Sequence, residues 1–123
     1  MGYGFLGYQG GFQGGGGGFG TATFGEVSWA FGGESYGGAG QSGGVFLTGP
    51  LIPFQQIFLL PAVGLGGEER GGNRGFLLDV GLRAFLFPSG AGWAVGLGAG
   101  YAVPLGFSGG GAYLRLLIGG GSP

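Results

Sequence analysis

The chain has 123 residues, enough for one domain spanning 1–123 without a second core, and 39 of them are glycine. Glycine at that level argues against helix throughout, because each interior Gly costs about 0.8–1 kcal/mol relative to Ala. An aromatic content of 15% in turn argues against a disordered glycine-rich linker.

Four arginines, five acidic residues and a net charge of -1 leave no basic footprint for nucleic acid. The absence of cysteine removes disulfides and thiolate metal sites together, and no apolar run reaches the roughly 18 residues of a membrane-spanning helix. Met1-Gly2-Tyr3-Gly4 lacks the basic-then-apolar order of a secretory signal, so an exported protein would be represented here by a mature form or a fragment.

In chain order, residues 2–13 read as a first strand with aromatic residues on both faces, and residues 14–18, all glycine, as a flexible turn. A second strand over 19–31 ends with Val27, Trp29 and Phe31 on one face and Glu26, Ser28 and Ala30 on the other. Gly32-Gly33-Glu34 reads as a short hairpin loop. The third strand, 35–48, is so rich in glycine that its register is not fixed, and Val45 and Leu47 are expected to continue the apolar face. Two prolines make 49–53 a rigid connection. A fourth strand over 55–65 is interrupted by Pro61, which predicts a bulge or a local edge. Residues 66–73 hold three of the nine charges and read as a solvated loop.

The last three strands, 75–87, 92–103 and 111–119, carry the clearest signal, since successive side chains of a strand point to opposite faces. One row comprises Phe76, Leu78, Val80 and Leu82, then Trp93, Val95, Leu97 and Tyr101, then Leu114, Leu116 and Ile118. The other row is mostly Gly and Ala, with Asp79, Arg83, Tyr113 and Arg115 among them. Residues 88–90 and 106–110 close the hairpins, and the count is seven strands.

Strands at this spacing suggest a sandwich or a barrel. A sandwich would turn its second face to water, and glycine and alanine make a poor solvent surface. The reading is therefore an all-β fold, a small antiparallel up-and-down β-barrel of about seven to eight strands with an apolar exterior and a Gly/Ala-rich interior. Its small inner residues would make room for Tyr, Phe and Arg from other strands. Glu26, Asp79, Arg83 and Arg115 fall on the inner face and sum to zero charge, the pairing that buried charges require.

An outward apolar belt calls for an apolar solvent, and only a closed barrel satisfies every backbone group within a bilayer. On GFLLDVGLRAFLF, GWAVGLGAGYAVPLG and AYLRLLIGGG, mainly residues 74–119, the chain resembles the small bacterial outer-membrane β-barrel proteins. The resemblance implies a structural barrel with a filled interior, at the bacterial outer membrane or cell exterior, with the lipid bilayer as partner. The chain departs from the family's pattern in its odd strand count, its shorter and less charged loops, and its ending in Gly-Gly-Gly-Ser-Pro instead of an aromatic residue.

The odd strand count, the very short loops and the near-total lack of charge support a second expectation, a self-assembling extracellular filament or tube subunit whose apolar exterior packs against copies of itself. An open edge or a segment donated by a neighbour would complete its sheet. A soluble ligand-binding barrel is the weakest reading, because it would turn Asp79, Arg83 and Arg115 outward and glycine to water.

No catalytic, cofactor-binding or metal site is expected, and no small-molecule substrate is inferred. Gly33-Glu34-Ser35-Tyr36-Gly37 and Gly106-Phe107-Ser108-Gly109-Gly110 both match G-x-S-x-G, but a serine nucleophile needs a general base and the chain has neither His nor Lys. Gly2-x-Gly4-x-x-Gly7 matches a dinucleotide fingerprint without the preceding strand and following helix. Glu68 and Glu69 are adjacent and point apart, which does not make a metal site.

Overall fold

The computed structural model describes residues 1–38, 40–88, 92–106 and 111–121. Ser89, Gly90 and Ser108, which belong to turns and a motif read from the sequence, lie outside them. The described chain forms eight strands: β1 Gly2–Tyr8, β2 Phe12–Phe24, β3 Val27–Gly38, β4 Gln41–Phe54, β5 Ile57–Arg70, β6 Asn73–Leu86, β7 Trp93–Leu105 and β8 Gly111–Gly120. Each pairs antiparallel with its sequence neighbours, and β1 also pairs with β8, from Gly2↔Gly120 to Tyr8↔Leu114. The result is a closed up-and-down barrel with strand order β1 to β8.

The count is thus eight and not seven, and the difference arises where glycine hides the alternation. Residues 14–18 are not a turn: they lie within β2, paired with β1 on one side and β3 on the other. Gly32-Gly33-Glu34 is the middle of β3, and residues 49–53 belong to β4. Residues 66–70 extend β5, so the solvated loop shrinks to Gly71-Gly72. Both of these glycines have positive φ, 57° and 89°, as the tight type I′ hairpin requires. The β2–β3 hairpin turns through Gly25 at φ 64°, and the β4–β5 hairpin through Gln55, the one non-glycine at positive φ among the described residues.

Pro61 causes no bulge, but it leaves a local unpaired edge on the β4 side, where the pairs lapse over residues 60–62. Thr48↔Val63 and Ile52↔Leu59 keep one register on either side of it, and β5 pairs with β6 along its whole length.

One circuit of paired residues fixes the barrel's geometry. From Gly111 it passes through Ala102, Asp79, Gly64, Leu47, Gly32 and Phe19 to Met1, whose amino group and carbonyl both bond the Phe19 backbone. The β1–β8 register then returns the path to β8 at Gly121, ten residues further along. Such a stagger on eight strands requires a steep tilt, in the range of about 35–45°.

The interior of so narrow a barrel is filled by side chains. Toward the termini Tyr3, Phe19 and Phe85 pack as a tilted trio with centroids 5.4–6.5 Å apart. Below them Phe58 and Phe87 meet edge to face at 5.4 Å, with Met1 against the same core. The space between Tyr3, Phe19, Ala30, Leu47 and Leu60 is about 10 Å³, at or below what one water needs. Toward the β1–β2 and β3–β4 hairpins the filling turns polar, with Gln9, Gln13, Gln41 and Glu68 all buried.

Candidate functional site

Glu34 organises the polar half of the interior. It sits at the middle of β3, opposite Gly17 on β2 and Val45 on β4, and is 4% exposed. Arg83 on β6 donates to it twice, from Nε to Oε2 at 2.9 Å and from Nη2 to Oε1 at 2.5 Å. Arg115 on β8 donates from Nη1 to Oε1 at 2.6 Å, and the Tyr3 hydroxyl donates to Oε2. One carboxylate therefore joins β1, β3, β6 and β8, with the two-pronged Arg83 contact the strongest type of charge-assisted pair.

Around this centre Tyr113 donates to Asp79 Oδ1 at 2.6 Å, and Tyr36 donates to Glu68 Oε1 at 3.0 Å. The Arg115 guanidinium lies 4.2 Å from the Tyr113 ring centre, 4.5 Å from that of Phe5 and 5.3 Å from that of Tyr36, so its charge is met by π faces as well as by Glu34. At the rim Arg70 reaches Gln41 Oε1 at 2.5 Å and Glu68 at 3.8 Å, and Gln41 donates to the Gln9 carbonyl.

These long side chains fit because glycine faces them. A Cβ on Gly17 would lie 2.6 Å from Glu34 Cγ, one on Gly7 2.8 Å from Arg115 Cγ, and one on Gly81 2.4 Å from the Tyr113 hydroxyl. The inner glycines are the space into which the charged and aromatic residues are packed.

Of the four residues assigned to an interior network, Asp79, Arg83 and Arg115 are 1–3% exposed inside the barrel. Glu26 is not there: it lies exposed in the two-residue turn between β2 and β3. Its place is taken by Glu34, with Glu68 as a further buried carboxylate. The alternation that put Ser28 and Ala30 inside already pointed to Glu34, since the same parity continues through Gly32. Reading a turn at residues 32–34 broke it. Glu68 was lost in the same way, inside a segment read as loop.

The outer belt lies as the alternation predicts. Phe76, Leu78, Val80, Leu82, Trp93, Leu97, Tyr101, Leu114, Leu116 and Ile118 are all 44–69% exposed on the outer wall, and Val95 faces out half-buried between neighbours. Phe31 lies outside, as its place opposite Ser28 and Ala30 implies, and the belt continues over the first half through Phe12, Phe24, Phe46 and Phe54, all 63–83% exposed, whereas Val45 and Leu47, expected to continue the apolar face, are buried inside the barrel. Aromatic residues gather at both rims: Tyr8, Phe12, Phe76 and Tyr101 toward the β1–β2 hairpin, and Phe24, Trp29, Phe54 and Trp93 toward the termini. Among the described residues, the charged side chains on the outside are Glu69 and Arg74, a 3.5 Å pair at the β5–β6 hairpin, and Glu26 in its turn. Trp29 on the outer wall donates its indole N–H to Thr48 Oγ1, which donates to the Ala30 carbonyl, so these polar groups are satisfied without water.

Chemically the interior holds charge in place. The described residues contain no cluster of three or more His, Cys, Asp or Glu placed to bind a metal ion. Ser35 of the first G-x-S-x-G match lies in mid-strand with its side chain on the outer wall, away from buried Glu34 and Tyr36. Gly2, Gly4 and Gly7 lie within β1, followed by a hairpin. No protein-family model, curated protein or solved structure matches the chain.

Proposed function

We propose that this chain is a membrane β-barrel of the bacterial outer-membrane type, structural and non-enzymatic, with a filled interior and the lipid bilayer as its partner. The observation that carries the reading is the distribution of charge: Glu34, Asp79, Arg83 and Arg115 are buried inside, while the outer wall between the aromatic rims is uncharged. A barrel built for water has the reverse arrangement.

The dimensions agree with a bilayer. Phe12 and Phe24 bound β2, and at about 3.4 Å per residue with a tilt near 40° they stand roughly 30 Å apart along the barrel axis. Trp93 and Tyr101 on β7 stand about 20 Å apart by the same reckoning. The apolar band of such barrels is about 25 Å tall between aromatic girdles.

The second reading, a filament or tube subunit, loses the unpaired edge that favoured it, because β1 and β8 close the sheet. Electron microscopy before and after detergent extraction, with gel migration of heated and unheated samples, tests the proposal. Small single particles that need detergent and shift on heating are expected. Filaments that survive detergent would make the belt a contact between copies, and a monomer in plain buffer would overturn both readings.

A further inference from the structure

Seven of the eight strand junctions pair without a break among the described residues, and the β4–β5 junction does not. Its pairs run from Gln41↔Arg70 to Thr48↔Val63, lapse, and resume at Ile52↔Leu59. The register is the same on both sides, which places Pro50 directly opposite Pro61. In an antiparallel pair every second opposed couple exchanges two N–H···O bonds. Phe54↔Ile57 closes the two-residue β4–β5 turn and so exchanges both bonds, and every second couple from it, Ile52–Leu59, Pro50–Pro61 and Thr48–Val63, occupies the site of an exchanging couple. Neither proline has an N–H to give, and each carbonyl faces a partner that cannot donate.

The surroundings of this gap are apolar on both faces. Leu51, Leu60 and Ala62 back it inside the barrel, each 3–5% exposed. On the outer wall Thr48 and Val63, the last couple before the gap, also line a groove of about 810 Å³ with Phe31, Phe46, Leu65 and Leu78. Parting the strands here uncovers hydrocarbon and breaks no contact of the Glu34 centre, whose partners lie on β1, β6 and β8.

We propose that Pro50 and Pro61 form a lateral hinge in the barrel wall, at which β4 and β5 separate while the rest of the sheet stays paired. Strand β5 supplies its own control. The N–H groups of Leu59 and Val63 point toward β4, and those of Leu60 and Ala62, at the same depth, point toward β6, where pairing is continuous.

Residue-resolved hydrogen exchange on the dispersed barrel tests the hinge. Leu59 and Val63 are expected to exchange roughly tenfold or more faster than Leu60 and Ala62, as a local opening requires. The double variant Pro50→Val/Pro61→Val restores both donors and is expected to bring the two rates together. Pro61→Val alone, which restores one donor, serves if the double variant fails to assemble and is expected to narrow the gap. Equal protection on the two edges of β5 in the natural chain would overturn the hinge, as would a difference that survives the proline substitutions.

Discussion

At the scale of single residues, glycine has two different jobs in this wall. A Cβ on inward-facing Gly32 would lie 2.0 Å from the Gly18 carbonyl oxygen, with the Phe19 backbone also in contact, so no side chain fits without moving a strand. A Cβ on Gly20 would meet nothing within 4 Å. Gly32→Ala is therefore expected to destabilise the barrel by about 1–3 kcal/mol, as overpacking does, while Gly20→Ala leaves the denaturant midpoint unchanged or raised. Comparing the two midpoints checks this. Glu34 carries a larger share of the stability: Glu34→Gln keeps the shape but leaves Arg83 and Arg115 buried without their shared counter-charge, for an expected loss of about 3–5 kcal/mol. Chemical denaturation of the folded barrel reads that loss directly.

At the scale of the strand, the sequence was legible wherever large and small residues alternate. The alternation places β6, β7 and β8 to within one or two residues of their observed ends and separates the exposed from the buried row of β6. It was illegible where both rows are glycine, as in residues 14–18, because a period of two cannot be read from identical side chains. Three of the four residues assigned to the interior came from strands with clear alternation. The fourth, Glu26, falls in a turn, and the carboxylate that takes its place, Glu34, follows two glycines that read as a turn.

Outward positions on one strand also separate the solvents the belt could face. Leu97 lies midway between Trp93 and Tyr101 on β7. If lipid surrounds the barrel, Leu97→Arg is expected to cost about 2–4 kcal/mol and Tyr101→Arg about 0–1 kcal/mol. Equal costs in lipid vesicles would contradict a bilayer-spanning belt.

At the scale of the whole molecule, the filled interior sets what the barrel can pass. The Tyr3–Phe19–Phe85 trio and the Phe58–Phe87 pair block the end near the termini, and the Glu34 centre fills the middle. An eight-stranded barrel leaves an interior just wide enough for its side chains. Planar-bilayer recording of the purified protein is accordingly expected to show no steady conductance. A stable open level would mean that the packed interior rearranges in the membrane.

The closure between β1 and β8 has a consequence for how the chain assembles. Every other junction joins strands adjacent in sequence, so hairpins can form as the chain emerges, at small cost in loop entropy. Gly2–Tyr8 and Gly111–Gly120 are the exception, the one contact of high sequence separation on which the sheet's completion depends. The first strand synthesised must wait for the last, and until they meet each presents a bare edge to whatever else is nearby. Until ring closure, these two unpaired edges are where another chain could add to the sheet.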